Sequence, residues 1–145
     1  MEITLTIPGV PTPQARPRFF RRGDHVGTYK TEKQNAAENC FIARAKSQLI
    51  GTPAPIERGV PLAVKCWFVM PVPKSSTKKF RDRCRSEPVY HTKKPDADNL
   101  VKFVKDCLNG TAWHDDAQVA QIHGVKIYGA EPRTIVQIQV LEDAA

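Results

Sequence analysis

The chain has 145 residues and a mass of 16.2 kDa, enough for one domain with a core of normal size. Its 41% hydrophobic and 26% charged residues are typical of a globular protein. Because it has neither an apolar run of the ~20 residues that span a bilayer nor a signal peptide's apolar core, we expect a cytoplasmic protein that does not bind membranes.

The net charge of +7 combines +11 in residues 1–95 (18 Lys and Arg against 7 Asp and Glu) with −4 in residues 96–145 (4 against 8). This indicates either a polyanion-binding protein that also holds a cation, or a basic protein with a solvated acidic turn.

Polar and apolar residues alternate over residues 2–7, which predicts a half-buried strand that ends at Pro8-Gly9. The following residues 10–30 combine three prolines with five cations. Proline at this density excludes a helix or a central strand. We therefore predict an ordered basic loop, with Gly23 and Gly27 on either side of the turn at its tip.

The next segment, residues 32–49, has the pattern of a helix. Thr31 and Gln34 fit a capping box, and Gly51 lies where the helix should end. Residues 62–70 are almost entirely apolar, which predicts a central strand covered on both faces. The core-facing side of the helix is predicted to consist of Ala37, Cys40, Phe41, Ala45 and Leu49.

Residues 71–95 are polar and basic, so we predict a basic, flexible arm within the domain. The segment 98–109 has the clearest helical pattern in the chain. Asp98 is expected to cap its first turn, and Asn109-Gly110 to end it. Its apolar residues recur at helical spacing and predict a core-facing stripe of Leu100, Phe103, Val104, Cys107 and Leu108.

Two further strands are predicted at residues 118–128 and 134–141, joined through a short turn. The order of elements is then β-α-β-α-β-β. It predicts a small α+β fold, a single domain over residues 1–145 with a mixed β-sheet and two main helices.

Acidic residues surround the second predicted helix. Asp96 and Asp98 are two positions apart in the extended approach to it, so their side chains can point the same way. A fold-back after Gly110 would bring Asp115 or Asp116 to them. Two carboxylates ~5 Å apart repel by roughly 3 kcal/mol at an effective dielectric of ~20, so such a cluster needs a neutralising cation. Oxygen ligands favour Mg²⁺ or Mn²⁺ over zinc.

There is a simpler alternative for these acids. Asp98 would then act only as a helix cap, and Asp96 would only favour the positive end of the helix dipole. Lys102, one turn beyond Asp98, has two interpretations of the same kind: it stabilises charge on a phosphate oxygen, or it forms an ordinary i,i+4 surface pair with Asp98. Asp106, two turns along the same polar face, is expected to have a supporting role.

The pair Phe19-Phe20 lies among arginines in the basic loop. It could stack on bases or form a wedge between them, although such a pair more often packs its own loop against the body. The sequence has no Walker-type phosphate-binding motif and no GxSxG elbow, so we expect no nucleotide cofactor and no serine-hydrolase chemistry.

Two motifs together resemble a known family. They are Pro95-Asp96-Ala97-Asp98-Asn99-Leu100-Val101-Lys102 and, after Asp106, Asp115-Asp116-Ala117-Gln118-Val119. This combination resembles the signature of the RusA-type Holliday-junction resolvases, which occur largely in phages and prophages. The N-terminal segments Pro8-Gly9-Val10-Pro11, Arg16-Pro17-Arg18 and Tyr29-Lys30-Thr31 resemble the phage branch of the same family.

The resemblance implies a homodimeric, Mg²⁺-dependent endonuclease that nicks four-way DNA junctions symmetrically, with Mn²⁺ as a substitute metal. Carried over position by position, the family's acidic residues fall on Asp96, Asp98 and Asp116, which would be both catalytic and metal-binding, and its essential lysine falls on Lys102. Asp115 is expected to be a further metal ligand or helper. The residues expected to bind the junction backbone are Arg16, Arg18, Arg21, Arg22, Lys30, Lys74, Lys78, Lys79, Lys93 and Lys94.

Three other functions stay open from the residues alone. One is a non-catalytic nucleic-acid-binding module whose acids are structural, and another is a metal-dependent nuclease that acts on another branched DNA. The third is a small structural protein of a ribonucleoprotein, which the basic charge allows but the acidic cluster does not explain. The dimer surface is undecided as well, because the strand over 62–70 and the first helix are both candidates for it.

Overall fold

The structure is a computed structural model that describes residues 1–142. The predicted α+β class is confirmed, since strands and helices contribute to one core. No helix among these residues is long and apolar enough to cross a membrane. Besides the four predicted strands and two predicted helices, the structure contains a hairpin and a third helix. In chain order the elements are β1 (Glu2–Pro8), β2 (Arg18–Arg22), β3 (His25–Tyr29), α1 (Glu32–Leu49), β4 (Leu62–Pro71), α2 (Lys78–Ser86), α3 (Ala97–Leu108), β5 (Val119–Gly129) and β6 (Arg133–Val140).

The main sheet has four strands in the order β1-β6-β4-β5. β6 runs antiparallel to both of its neighbours, whereas β4 and β5 are parallel, which confirms the predicted mixed sheet. α1 and α3 pack on one face of it, where the rings of Phe41 and Phe103 meet edge to face with centroids 5.6 Å apart. All five residues of the predicted α3 stripe are buried in this core.

β4 lies inside the sheet, but its two faces differ in exposure. Leu62, Val64 and Cys66 are buried in the core, whereas Lys65 and Trp67 on the opposite face are only half-buried. The expectation that both faces are covered is therefore wrong for the first two-thirds of the strand. Trp67 is partly covered by Lys65, whose ammonium lies 4.7 Å from the ring centroid.

Residues 10–30 contain a two-stranded hairpin, β2–β3, where the sequence predicts an ordered basic loop. Gly23, with a φ of +58°, occupies the first position of its two-residue turn. Gly27 lies inside β3, opposite Phe20, and not beside the turn as predicted. A Cβ at Gly27 would lie 2.5 Å from the Phe20 ring, so the glycine makes room for that ring. The prolines precede the strands, and they therefore do not prevent this pairing.

The basic segment 71–95 contains the nine-residue helix α2, where the sequence predicts a flexible arm. The Thr77 hydroxyl caps this helix by accepting from the amide N–H of Phe80 at 3.2 Å. The Phe80 ring packs edge to face on Tyr128 of β5, with centroids 5.3 Å apart. This contact gives the basic side chains of the segment a defined position beside the sheet.

α1 covers the predicted residues, but only half of the predicted capping box forms. The amide N–H of Gln34 donates to the Thr31 hydroxyl at 3.2 Å, while the Gln34 side chain binds Gln14 and does not return to the cap. Cys40, predicted to face the core, is exposed. The other predicted residues of this face are buried or half-buried: Ala37, Phe41, Ala45 and Leu49.

Candidate active site

The first candidate ligands lie at the start of α3. Asp96, and not Asp98, occupies the N-cap position, so the prediction that Asp98 caps the helix is wrong. The Asp96 side chain makes no capping hydrogen bond, and both carboxylates are exposed. Within residues 1–142 no ion pair or side-chain hydrogen bond involves either of them. Two carboxylates without a protein partner, at the positive end of a helix, are available to a cation.

Two contacts from β5 determine where α3 begins, and neither has a recognisable signal in the sequence. The Nζ of Lys126 donates to the carbonyl oxygens of Lys93 and Pro95 at 2.6 and 2.7 Å, which holds the chain just before the helix. One turn later, Val101 packs closely against Gly124, where a Cβ would lie 2.8 Å from a valine methyl carbon. β5 therefore sets the position of the two aspartates.

Lys102 lies on the exposed face of α3, one turn beyond Asp98. The alternative of a surface ion pair between the two is not found, because no ion pair in the described part of the chain includes either residue. The positive charge of Lys102 does act on Asp106, where it opposes the effects that raise the pKa of that carboxyl. Its ammonium stays available to a ligand.

The second acidic motif forms a short 3-10 turn, Asp116–Gln118, which Asp115 caps. The Asp115 carboxylate accepts from the amide N–H of Ala117 at 3.0 Å. The buried Gln118 completes a capping box, since its Oε1 accepts from the amide N–H of Asp115 at 3.0 Å. Its Nε2 donates to two backbone carbonyls of the loop before β4, at 2.6 and 3.1 Å. Gln118 thus anchors the turn, a role that its place in the motif does not reveal.

Asp116 is oriented by an aromatic side chain. The indole N–H of the fully buried Trp113 donates to Asp116 Oδ1 at 2.8 Å. The second carboxylate oxygen of Asp116 has no hydrogen-bond partner among residues 1–142. Asp116 therefore presents one free oxygen on a carboxylate that a buried side chain orients, whereas Asp115 uses one of its oxygens to cap the turn.

Asp106 belongs to a polar network that joins α3 to α1 and to the chain before β2. Gln14 Nε2 donates to Asp106 Oδ2 at 2.7 Å, and Gln14 Oε1 accepts from Gln34 Nε2 at 2.9 Å. Lys30 binds Glu38 of α1 at 2.9 Å, and Glu38 also lies 3.4 Å from the Gln14 amide nitrogen. This arrangement is consistent with the supporting role expected of Asp106.

The electrostatics of this network extend to the second acidic motif. Partial burial, followed in size by the negative charge of Asp116, raises the pKa of Asp106. The positive charges of Lys30 and Lys102 oppose this shift. The hydrogen bond to Glu38 raises the pKa of Lys30 above its usual 10.5. The charge of Asp116 therefore acts on Asp106, in the second half of α3.

The predicted cluster of three carboxylates is not assembled. Among the residues that the structure describes, no three acidic, histidine or cysteine side chains lie close enough to hold a metal ion. The donor chemistry nevertheless suits a hard cation, because Asp96, Asp98 and Asp116 each keep carboxylate oxygen that no protein group occupies.

The basic residues predicted to bind DNA form two exposed sets, one in the hairpin region and one in the arm. Lys30 is different from the rest, because its ammonium is bound to Glu38 and ties the base of the hairpin to α1. The exposed cations are Arg16, Arg18, Arg21 and Arg22 in the first set, and Lys74, Lys78, Lys79, Lys93 and Lys94 in the second.

Free carboxylates and a free lysine on one helix, together with exposed basic surfaces, are features of an enzyme that acts on nucleic acid. A family model described as "Endodeoxyribonuclease RusA" matches residues 8–139 of the chain. The protein belongs to this family, and membership implies an endonuclease of the Holliday-junction resolvase type. The match includes the hairpin, both acidic motifs and the whole of β4 and β5.

The chain is also similar to a protein of Bacillus subtilis (strain 168) that is named "Uncharacterized protein YqaN". The two are 36% identical over 138 residues, which cover 94% of this chain and 95% of the relative. The similarity therefore extends over the whole domain and is not confined to the acidic motifs.

Proposed function

We propose that this protein is a Mg²⁺-dependent, structure-specific DNA endonuclease that resolves Holliday junctions by paired nicks in opposed strands. The observation that carries the proposal is the pair of exposed carboxylates at the start of α3, Asp96 and Asp98. Neither has a hydrogen-bond or ion-pair partner among residues 1–142. Because they make no capping bond and no ion pair in this part of the chain, the helix dipole alone could give them a structural role, and their carboxylates stay open to a cation.

Asp96, Asp98 and Asp116 would hold Mg²⁺, for which Mn²⁺ can substitute; the bound ion would supply Lewis-acid activation of the scissile phosphate and of a water. We prefer Asp116 to Asp115 as a ligand because the fully buried Trp113 orients its carboxylate, whereas the Asp115 carboxylate is used to cap the turn. Asp115 would contribute indirectly, since its carboxylate caps the turn that carries Asp116.

Lys102 would contact a non-bridging phosphate oxygen. Its ammonium lies on the helix that carries Asp98, one turn along, and has no ion-pair partner among residues 1–142. A cation at this point stabilises the negative charge that develops on the phosphate as the water attacks, which lowers the barrier for hydrolysis.

The two exposed basic sets would bind the arms of the junction. They contribute phosphate contacts without base recognition, so the affinity for DNA should fall steeply as the salt concentration rises. The arm set has a defined position because Phe80 packs α2 onto Tyr128. The hairpin set is tied to α1 through Lys30.

A homodimer would place two related sites on two opposed strands. The two edges of the main sheet differ in how they could serve such a dimer. On the outer edge of β1, the Gln48 side chain binds both backbone groups of Thr6, at 2.9 and 2.7 Å. A strand that paired along this edge would have to displace Gln48 of α1 from Thr6. β4 has no free edge, because β5 and β6 pair with it on either side.

The outer edge of β5 is open over its first half. The amide N–H of His91 donates to the carbonyl of Lys126, and the amide N–H of Tyr128 donates to the carbonyl of Val89. The backbone groups of the even-numbered residues of β5, such as Lys126 and Tyr128, therefore face this outer edge. By alternation, the backbone groups of Ile122 and Gly124 face the same edge, and they have no partner in residues 1–142. We infer that a second copy of the chain pairs with β5 here.

Cleavage of a synthetic four-way junction by the wild type and by Asp98→Asn, with and without Mg²⁺, tests the proposal. We expect the wild type to cut only with Mg²⁺. Asp98→Asn should bind the junction normally but cut it at least about 100-fold more slowly, because the amide cannot replace a charged ligand. Glu131→Gln, at an exposed acid in the turn between β5 and β6, is the matched control and should cut like the wild type. Equal cutting by Asp98→Asn would contradict the metal-site assignment.

The same assay separates two of the alternatives. A non-catalytic DNA-binding module would bind the junction and leave it intact with either Mg²⁺ or Mn²⁺. A nuclease for another branched DNA would cut a flap or three-way substrate faster than the four-way junction when the two compete in one reaction.

A further inference from the structure

The hairpin β2–β3 projects from the domain with both of its faces uncovered. Every residue of the two strands except Gly27 is exposed, so neither face is buried against the body. A two-stranded ribbon without a core usually keeps polar residues on both faces. Here it exposes Phe19, Phe20, Val26 and Tyr29 instead, and this requires an explanation.

The two phenylalanines of the hairpin have different surroundings. Phe20 packs within the hairpin, over Gly27, with ring centroids 6.1 Å from His25 and 6.2 Å from Tyr29. Phe19 lies on the opposite face and is 75% exposed. It has no aromatic neighbour among residues 1–142. The alternative that this pair packs its loop against the body is therefore wrong.

The charges around Phe19 suit a nucleic acid. Arg21 shares the Phe19 face of β2, whereas Arg18 and Arg22 alternate onto the Phe20 face. No ion pair in the described residues neutralises any of the three. The hairpin contains a single acid, Asp24, at its turn. An exposed ring on a basic ribbon suits an unpaired base, because the ring stacks on the base while cations on the ribbon hold the flanking phosphates.

The hairpin is tied close to the candidate active site. The amide N–H of Gln14 donates to the carbonyl of Asn99, in the first turn of α3, at 3.0 Å. The four residues that follow Gln14, up to Arg18, can span at most about 14 Å. At its other end, Lys30 follows β3 directly and binds Glu38. A base on the hairpin would therefore belong to the same DNA as the phosphate beside α3.

We propose that the hairpin is a stacking platform for an unpaired base at the branch point of DNA, and that Phe19 is the residue that contacts the base. Bases inside a duplex are stacked on both faces, whereas a base at a branch point can lose one neighbour and accept a protein ring in its place. The proposal depends on the proposed function only for the choice of branched DNA as the ligand.

Binding measurements with a fluorescent base test this proposal without any cleavage. A four-way junction carries 2-aminopurine at the branch point, a duplex carries it in the same sequence, and EDTA prevents cutting. The proteins are the wild type, Phe19→Ala and Phe19→Leu, in which leucine keeps the apolar surface but removes the ring. Ile50→Ala, at an 82% exposed apolar residue at the end of α1, is the control.

We expect the wild type and Ile50→Ala to change the fluorescence of the junction but not of the duplex. Both Phe19 variants should lose this change and bind the junction about 5- to 150-fold more weakly, the range for the loss of one base–aromatic stack, with unchanged duplex affinity. Wild-type fluorescence and affinity in Phe19→Ala would overturn the proposal. Equal weakening on junction and duplex would also overturn it. Failure of the wild type to cut with Mg²⁺, in a separate reaction, would contradict the proposed function alone.

Discussion

At the scale of single residues, the neighbours Asp115 and Asp116 show how the fold gives adjacent carboxylates different tasks. The Asp115 carboxylate caps the 3-10 turn, and the Trp113 indole orients that of Asp116. We expect Asp116→Asn to reduce junction cleavage at least about 100-fold, because the amide still accepts from Trp113 but no longer supplies a charged oxygen. Asn is as good an N-cap as Asp, so Asp115→Asn should cut within a few-fold of the wild type.

Single-turnover cleavage rates, with thermal unfolding as a check on folding, measure this difference. The two variants are each other's control, since both exchange one carboxylate for an amide within the same turn. A large loss of cleavage in Asp115→Asn with a normal rate in Asp116→Asn would reverse the assignment of the ligand.

His91 gives a prediction about pH. Burial, then the positive charges of Lys126 and Lys93, lowers the pKa of His91 below its usual 6.5. The unfolded chain therefore takes up a proton at a higher pH than the folded protein does. The free energy of unfolding should decrease as the pH falls from 6.5 towards the lowered pKa, and the stabilisation should be fully present above 6.5.

The substitution His91→Phe isolates this effect, because it keeps a ring against Tyr128, where the centroids lie 4.9 Å apart, and removes the titrating group. We expect the unfolding free energy of His91→Phe to depend less on pH than that of the wild type between about pH 7 and pH 5. Urea denaturation at a series of pH values measures it. Parallel curves for the two proteins would contradict the prediction.

The sequence identifies the acidic residues and Lys102, because those residue types and their spacing are local information. It does not reveal what positions them. Lys126 holds the approach to α3, and Gln118 anchors the acidic turn to a loop about 60 residues earlier in the chain. Such roles depend on contacts between distant segments, which no local pattern encodes.

At the scale of elements, Gln14 links the hairpin region to both helices of the core. We expect Gln14→Ala to destabilise the protein by about 1–2 kcal/mol, since the buried Gln34 amide loses its partner. It should also speed amide hydrogen exchange in residues 10–30 and weaken junction binding, because the base of the hairpin is no longer held against Asp106.

Gln48→Ala is the matched control for this change. It removes a glutamine whose side chain makes two hydrogen bonds, against three for Gln14, and both go to Thr6 at the far edge of the sheet. It should lose stability without faster exchange in residues 10–30. If Gln14→Ala exchanged there at the wild-type rate, the linking role of Gln14 would be wrong.

The long elements could be predicted from sequence and the short exposed ones could not. α3 has a clear apolar stripe, and β1 has a clean alternation, so both are found with their bounds nearly correct. β2 and β3 expose both faces, so hydrophobic patterning gives no signal for them. α2 has only Phe80 and Cys84 on its apolar side and no buried residue, so its signal is short and easily missed among basic residues. Pairing across the hairpin and one contact with Tyr128 hold them instead.

At the scale of the whole molecule, the open edge of β5 predicts the oligomeric state. We expect light scattering to give a mass twice the 16.2 kDa of one chain. Ile122→Lys should give a monomer, because a lysine on an edge strand opposes further pairing. Thr4→Lys, on the β1 edge at the other side of the sheet, is the control and should remain dimeric. A dimeric Ile122→Lys would place the interface elsewhere.

The uneven charge of the chain has a spatial counterpart in the fold. The +11 of residues 1–95 includes both exposed basic sets, and the −4 of residues 96–145 includes the free carboxylates of α3 and the following turn. The basic sets can hold a polyanion, whereas the carboxylates repel a phosphate unless a cation lies between them and it. The net charge of +7 therefore understates both properties.

The central claim is that this protein cuts branched DNA in a metal-dependent reaction. Incubating the wild type with an end-labelled four-way junction and with a duplex of one arm's sequence, each with Mg²⁺ or with EDTA, tests it most directly. We predict nicks in two opposed strands of the junction, only with Mg²⁺, and an intact duplex. Cleavage that persists in EDTA, or a duplex cut as fast as the junction, would contradict it.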